Sequence, residues 1–177
     1  MTEDRGKIPI VYFDEDIDPE NWPIERRDFL KLLGGGIIFL FSARGETALQ
    51  EARRSREYPD DLNAYLRIGE DGRVTLFTGK IEMGQGIHTS LAQMLAEELD
   101  VSLASVDMVM GDTALCPWDA GTFGSRSTKY FGPPLRQAAA EARSLLVSMA
   151  AEKMGVERDR LSVSEGIVFD KRDKKNR

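Results

Sequence analysis

Two glycine-bearing loops hold most of the side chains that could do chemistry. The first is Met83-Gly84-Gln85-Gly86-Ile87-His88-Thr89. Glycines there let the backbone take positive φ and approach a ligand closely, and free N–H groups at a following helix start favour a phosphate or another anion. Gln85 offers both a donor and an acceptor, enough to hold a heterocycle edge or an oxo group. A plain tight turn before a helix would use the same residues, so Gly-Gln-Gly alone decides nothing. The second loop runs through Asp112-Thr113 and Pro117 to Gly121-Thr122-Phe123-Gly124-Ser125-Arg126-Ser127-Thr128. Hydroxyls, backbone donors and an arginine in so short a span match what a dinucleotide pyrophosphate needs. A structural Gly/Ser surface loop is the alternative, although a loop of this length without function is uncommon.

Other chemistries are excluded by composition. Cys116 and His88 are the only cysteine and histidine among 177 residues. A disulfide within the chain needs a second cysteine, and a Cys/His zinc site needs three or four ligands. Any metal must therefore arrive with a cofactor or lie on a partner. With 24 Lys+Arg against 30 Asp+Glu, the net charge is −6. That balance, with no long basic stripe, argues against nucleic acid as a partner.

The loops need elements to hold them, and periodicity supplies these from Asn63 onward. Tyr65–Ile68 and Arg73–Thr78 are β-rich runs joined by Gly69-Glu70-Asp71-Gly72, which predicts a hairpin. Leu91, Leu95 and Leu99 recur every fourth residue within Ile87–Leu99, which predicts a helix with one buried face. Val106–Met110 reads as a short strand. A second helix is expected to start at Pro133-Pro134 and run from about Leu135 to Met154, with Ala138, Ala139, Ala140 and Ala142 permitting close approach. Leu161–Ser164 and Ile167–Phe169, around Glu165-Gly166, predict another hairpin. The order is ββαβαββ, an α+β fold, in which each glycine loop precedes a helix.

Residues 1–61 carry 9 basic and 14 acidic side chains, without an apolar period able to fold them alone, and are expected to be a poorly ordered tail. Within them, residues 26–43 hold Arg26-Arg27, Phe29-Leu30-Lys31 and a short apolar stretch ending at Ser42-Ala43. The stretch falls short of the roughly 20 residues that span a bilayer. Paired arginines before such a segment resemble a twin-arginine export signal, and a docked amphipathic helix is the alternative. The domain is expected over 62–169, followed by a basic tail at 170–177.

The series Gly79-Lys80-Ile81-Glu82-Met83-Gly84-Gln85-Gly86, then Gln93 with Ala96-Glu97-Glu98-Leu99, then Gly111-Asp112-Thr113, then Gly121 to Thr128, resembles the molybdopterin-binding domain of the xanthine oxidase family of molybdenum hydroxylases. Within that family it is most similar to large subunits of the isoquinoline 1-oxidoreductase and membrane-bound aldehyde dehydrogenase type. The resemblance implies that Gln85 and Gly86 contact the pterin or its dinucleotide extension. It also implies that Thr122, Phe123, Gly124, Ser125 and Arg126 grip the pyrophosphate and cytidine end of molybdopterin cytosine dinucleotide.

In such enzymes the pterin sulfurs bind molybdenum, so no metal ligand is expected from this chain and Cys116 reads as a small buried or loop residue. His88 reads as a helix-start contact rather than a catalytic group. The family's base is a glutamate far towards the C-terminus, and no motif here matches it. Glu97 and Glu98 read as helix-surface or capping carboxylates, and Glu82 as part of the loop's own hydrogen bonding, which leaves no catalytic residue. The resemblance makes the chain an N-terminal piece of a periplasmic large subunit. Its partners would be the remainder of that subunit, a small [2Fe–2S] subunit and, as a further candidate, cytochrome c, with an uncleaved signal acting as a membrane tether. Two other readings stand beside it: an exported module that binds a phosphate-bearing ligand without redox activity, and a purely structural α+β domain.

Overall fold

The computed structural model describes residues 10–12, 36–41 and 64–173. Its strands are β1 (Ile10–Tyr12), β2 (Ile37–Phe41), β3 (Ala64–Ile68), β4 (Val74–Thr78) and β5 (Val106–Met110), followed by a hairpin of β6 (Leu161–Ser164) and β7 (Ile167–Asp170). The long helices are α1 (Ile87–Leu99) and α2 (Gly132–Met154). Strands β1 to β5 form one sheet in that order, with parallel pairing at its two outer junctions and antiparallel pairing within. From Ala64 onward the elements follow the expected ββαβαββ order.

Alternation along the strands divides the sheet into two faces. Phe39, Leu66, Leu76 and Met108 lie in register across β2 to β5. They belong to one core with Leu91, Leu95 and Leu99 of α1 and Leu135, Ala138, Ala139 and Ala142 of α2. Of the alanines expected to permit close approach, Ala138, Ala139 and Ala142 are buried and let α2 lie close, whereas Ala140 is on the exposed side of the helix. At its start an added Cβ on Gly132 would sit 3.1 Å from the Met94 sulfur of α1. Strand β4 is buried along its whole length, so its end, where the first glycine loop departs, is rigidly held.

Two local features differ from the sequence reading. Residues 37–41, expected to belong to the export-like segment of a tail, form a strand paired antiparallel with β3 from Ile37↔Ile68 to Phe41↔Ala64. Ile38 and Phe39 are fully buried. Ile-Ile-Phe-Leu-Phe is a good strand sequence, and β3 offers it an otherwise unpaired backbone edge. Arg26-Arg27 lies outside the described residues.

The second difference concerns the start of α2. Helical backbone begins at Arg126 rather than at the prolines, with a π-turn over Arg126–Phe131 running directly into Gly132–Met154. Wider π-turn geometry changes which N–H groups need partners just where Pro133 and Pro134 have none to give. The second loop is thereby shortened, and Ser125 and Arg126 stand at the N-terminal end of the helical path.

Candidate cofactor site

Both glycine loops sit at the same end of the fold, stitched together by side chains. The Lys80 ammonium, just past β4, donates to Asp119 Oδ1 at 2.7 Å and to the Gly121 carbonyl at 3.0 Å. The Lys80 and Asp119 side chains are only 5% and 6% exposed. The ammonium lies 5.9 Å from the centre of the Phe131 ring, which adds a cation–π contact. Asp119 Oδ1 also accepts the Gly121 N–H at 2.7 Å, and the Ile81 N–H donates to Thr122 Oγ1 at 2.9 Å. Gly79 is required by this closeness, because a Cβ there would lie 2.5 Å from Asp119 Cβ and 2.7 Å from the Pro117 carbonyl oxygen.

In the first loop, Glu82 organises the backbone. Its Oε1 accepts the N–H groups of Gly84 (2.7 Å) and Gly86 (3.0 Å), and its Oε2 accepts that of His88 (2.9 Å). These bonds, that from His88 foremost, hold the Glu82 carboxyl below the usual carboxylate range. Gln85 folds back on the same loop: its Oε1 accepts the Met83 N–H at 2.5 Å, and its Nε2 donates to the Ile81 carbonyl at 3.1 Å. Gly86 is the N-cap of α1, in left-handed conformation. The His88 side chain is exposed and its backbone makes the helix-start contact.

In the second loop, Gly124 (φ +57°) and Ser125 (φ +61°) are successive left-handed residues. Such conformation turns backbone N–H groups towards one concave side. Phe123 is 57% exposed, and the Arg126 guanidinium carbon stands 5.0 Å from its ring centre. The Arg126 N–H donates to the Phe123 carbonyl and the Lys129 N–H to the Ser125 carbonyl, closing the loop onto the helix. Nothing lies within 4 Å of a Cβ added at Gly84, Gly86 or Gly124. The space beside these three glycines is thus open.

All seven residues singled out from the sequence, Gln85, Gly86, Thr122, Phe123, Gly124, Ser125 and Arg126, stand on these two joined loops. Thr122 has a role that sequence reasoning did not assign: its oxygen accepts the Ile81 N–H and so ties the loops. Lys80 and Asp119 were missed as a pair, since 39 residues separate them and no local spacing links them. The one available signal was a lysine directly after an apolar strand.

The other candidates have structural partners. Arg136 of α2 bonds both Glu97 and Glu98 at 2.7 Å. The partly buried Cys116 thiol donates to the Val109 carbonyl at 3.3 Å, and burial pushes its pKa up. Among the described residues no group of three or more His, Cys, Asp or Glu could hold a metal ion.

A family model described as "Molybdopterin cofactor-binding domain" matches residues 15–177. The chain belongs to this family. Similar proteins include a nicotinate dehydrogenase subunit of Pseudomonas putida, 40% identical over 109 residues, covering 62% of this chain and 9% of that protein. The beta subunit of isoquinoline 1-oxidoreductase from Brevundimonas diminuta is 32% identical over 172 residues, covering 89% of this chain and 21% of the relative. Among solved structures, a Cu,Mo-CO dehydrogenase in its carbon monoxide reduced state superposes with a TM-score of 0.55 at 29% identity, covering 63% of this chain and 14% of that one. The chain thus spans about a tenth to a fifth of the length of these relatives. It is a molybdopterin cofactor-binding domain of the xanthine oxidase family of molybdenum hydroxylases.

Proposed function

We propose that the two loops hold molybdopterin in its cytosine dinucleotide form, for an oxidoreductase that hydroxylates N-heterocycles or aldehydes. The observation that carries this reading is the second loop, where consecutive left-handed residues, hydroxyls and Arg126 over Phe123 meet the start of a helical path. Gln85 and Gly86 face the pterin end from the first loop. Thr122, Gly124, Ser125 and Arg126 hold the pyrophosphate, and Phe123 offers a ring against the cytidine. When bound, the cofactor supplies the redox chemistry of the hydroxylation. This chain's residues bind and orient it, and none of them is assigned as acid, base or nucleophile.

The names of both relatives mark them as subunits. By analogy, the remainder of a large subunit and a small [2Fe–2S] subunit are the partners proposed here, with cytochrome c as a further electron acceptor. Export to the periplasm by Arg26-Arg27 and the segment after it, with a tether if uncleaved, completes the proposal.

Purification of the assembled enzyme from its host, followed by acid release of nucleotide, tests the cofactor directly. The expected result is one cytidine monophosphate per molybdenum. Guanosine monophosphate or no nucleotide would overturn the dinucleotide assignment, and a phosphate-bearing ligand without molybdenum would favour the non-redox binding module. Gly124→Val should lower the retained molybdenum at least tenfold, because its side chain enters the open space before the loop.

A further inference from the structure

The start of α1 presents the free N–H groups that ordinarily draw a phosphate. In this chain two of them, those of Gly86 and His88, are already engaged by a carboxylate. The two oxygens of Glu82 accept from Gly84, Gly86 and His88. The helix has no acidic residue in its first turn and no side-chain cap at Gly86, so Glu82, reaching in from before the loop, supplies the countercharge.

Charge around the site is polarised accordingly. No lysine or arginine occurs between Lys80 and Arg126, and Lys80 is committed to Asp119. The second loop carries Arg126 and Lys129, with no acidic residue from Gly121 to Ala140. The acidic residues of the second loop lie earlier in it, Asp119 paired with Lys80 and Asp112 bonded to the Ala114 and Leu115 N–H groups. The first loop is therefore flanked by a negative charge, and the Gly121–Lys129 part of the second is positive.

We infer that Glu82 is a specificity-determining residue: it closes the first loop to phosphate, so that a phosphate-bearing cofactor can lie only with its charged end on the second loop and its neutral end on the first. This rests on the proposed function, which places one cofactor across both loops. Glu82 acts as a built-in anion that sets the direction of the ligand. Removing its charge should open the α1 start to phosphate, since the N–H groups it now engages would be released towards solvent.

Titration of the full 177-residue chain with inorganic pyrophosphate, followed through backbone amide resonances, tests this. In the wild type, the amides of Gly84, Gly86 and His88 should stay unmoved. In Glu82→Ala they should shift, with a dissociation constant at least tenfold below any wild-type response there. Glu82→Gln, which keeps an acceptor but loses the charge, decides the matter if the alanine variant loses the α1 resonances. Wild-type shifts at those three amides with the variants' affinity would overturn the inference, as would variants that remain silent there. The amides of Gly121 to Thr128 report separately on the proposed function. Silence there alongside a gained response at the first loop would sink the cofactor reading and leave the role of Glu82 standing.

Discussion

Replacing Lys80 by methionine removes the charge from a nearly dry ion pair while keeping most of the side chain's length. At 2.7 Å and an effective dielectric constant of about 20, the gross attraction is about 6 kcal/mol. Desolvation of both groups offsets most of that, so the pair as a whole adds little stability. The single substitution is another matter, because Asp119 would then be a carboxylate buried with the Gly121 N–H as its remaining described donor. Stranding a buried charge in this way costs about 3–5 kcal/mol. That is a large part of the roughly 5–15 kcal/mol that holds a domain together.

Urea unfolding followed by tryptophan fluorescence is well placed to read the change, since Trp118 adjoins Asp119. With a slope of about 2 kcal/mol per molar urea, the midpoint should fall by about 1.5–2.5 M. Adding Asp119→Asn should restore about 1–3 kcal/mol, because the second change removes the stranded charge. Amides of the second loop should exchange faster in Lys80→Met while those of α1 keep their protection. A loss below about 1 kcal/mol, or a double variant whose cost is the sum of the two singles, would refute the view that this pair positions the second loop.

Other expectations follow from the same contacts. Leu95→Ala, at a fully buried position facing the sheet, should cost about 2–5 kcal/mol in chemical denaturation. Gly79→Ala should cost about 1–3 kcal/mol by forcing the 117–119 segment away, and should also reduce molybdenum retention in the assembled enzyme. The carboxyls of Glu82, Asp107 and Asp170 are held below their ordinary range by the His88 N–H, by Arg73 and by the Arg172 N–H respectively. Their stabilisation is therefore present above the ordinary carboxylate range near pH 4 and is lost as pH falls through the depressed values. Acid unfolding should become shallower in Glu82→Gln, and an unchanged acid profile would contradict the hydrogen bonding described for the first loop.

Much of this protein was legible in its residues because the signals are local. The fourfold spacing of leucines in α1, the Asp-Gly turn between β3 and β4 and the Glu-Gly turn before β7 depend on neighbours a few positions away, and each element stands where periodicity placed it. The glycine loops were legible as backbone for a related reason: their glycines mark positions of positive φ, and Gly84, Gly86, Gly121 and Gly124 all adopt it.

Tertiary structure decided the rest, because each remaining feature joins groups that are distant in sequence or competes with a local preference. Ile37–Phe41 has the composition of a short apolar segment of any kind, and the open edge of β3 makes it a strand. Two prolines mark a helix start, yet packing of Phe131 and Gly132 against α1 and the sheet carries the helical path back to Arg126. Lys80 finds Asp119 only once β4 and the second loop are side by side. The sequence placed Glu82 in the loop's own hydrogen bonding, but not which groups it would engage. Only the folded loop selects the N–H groups of Gly84, Gly86 and His88, because their convergence on one carboxylate depends on the left-handed turns at the two glycines.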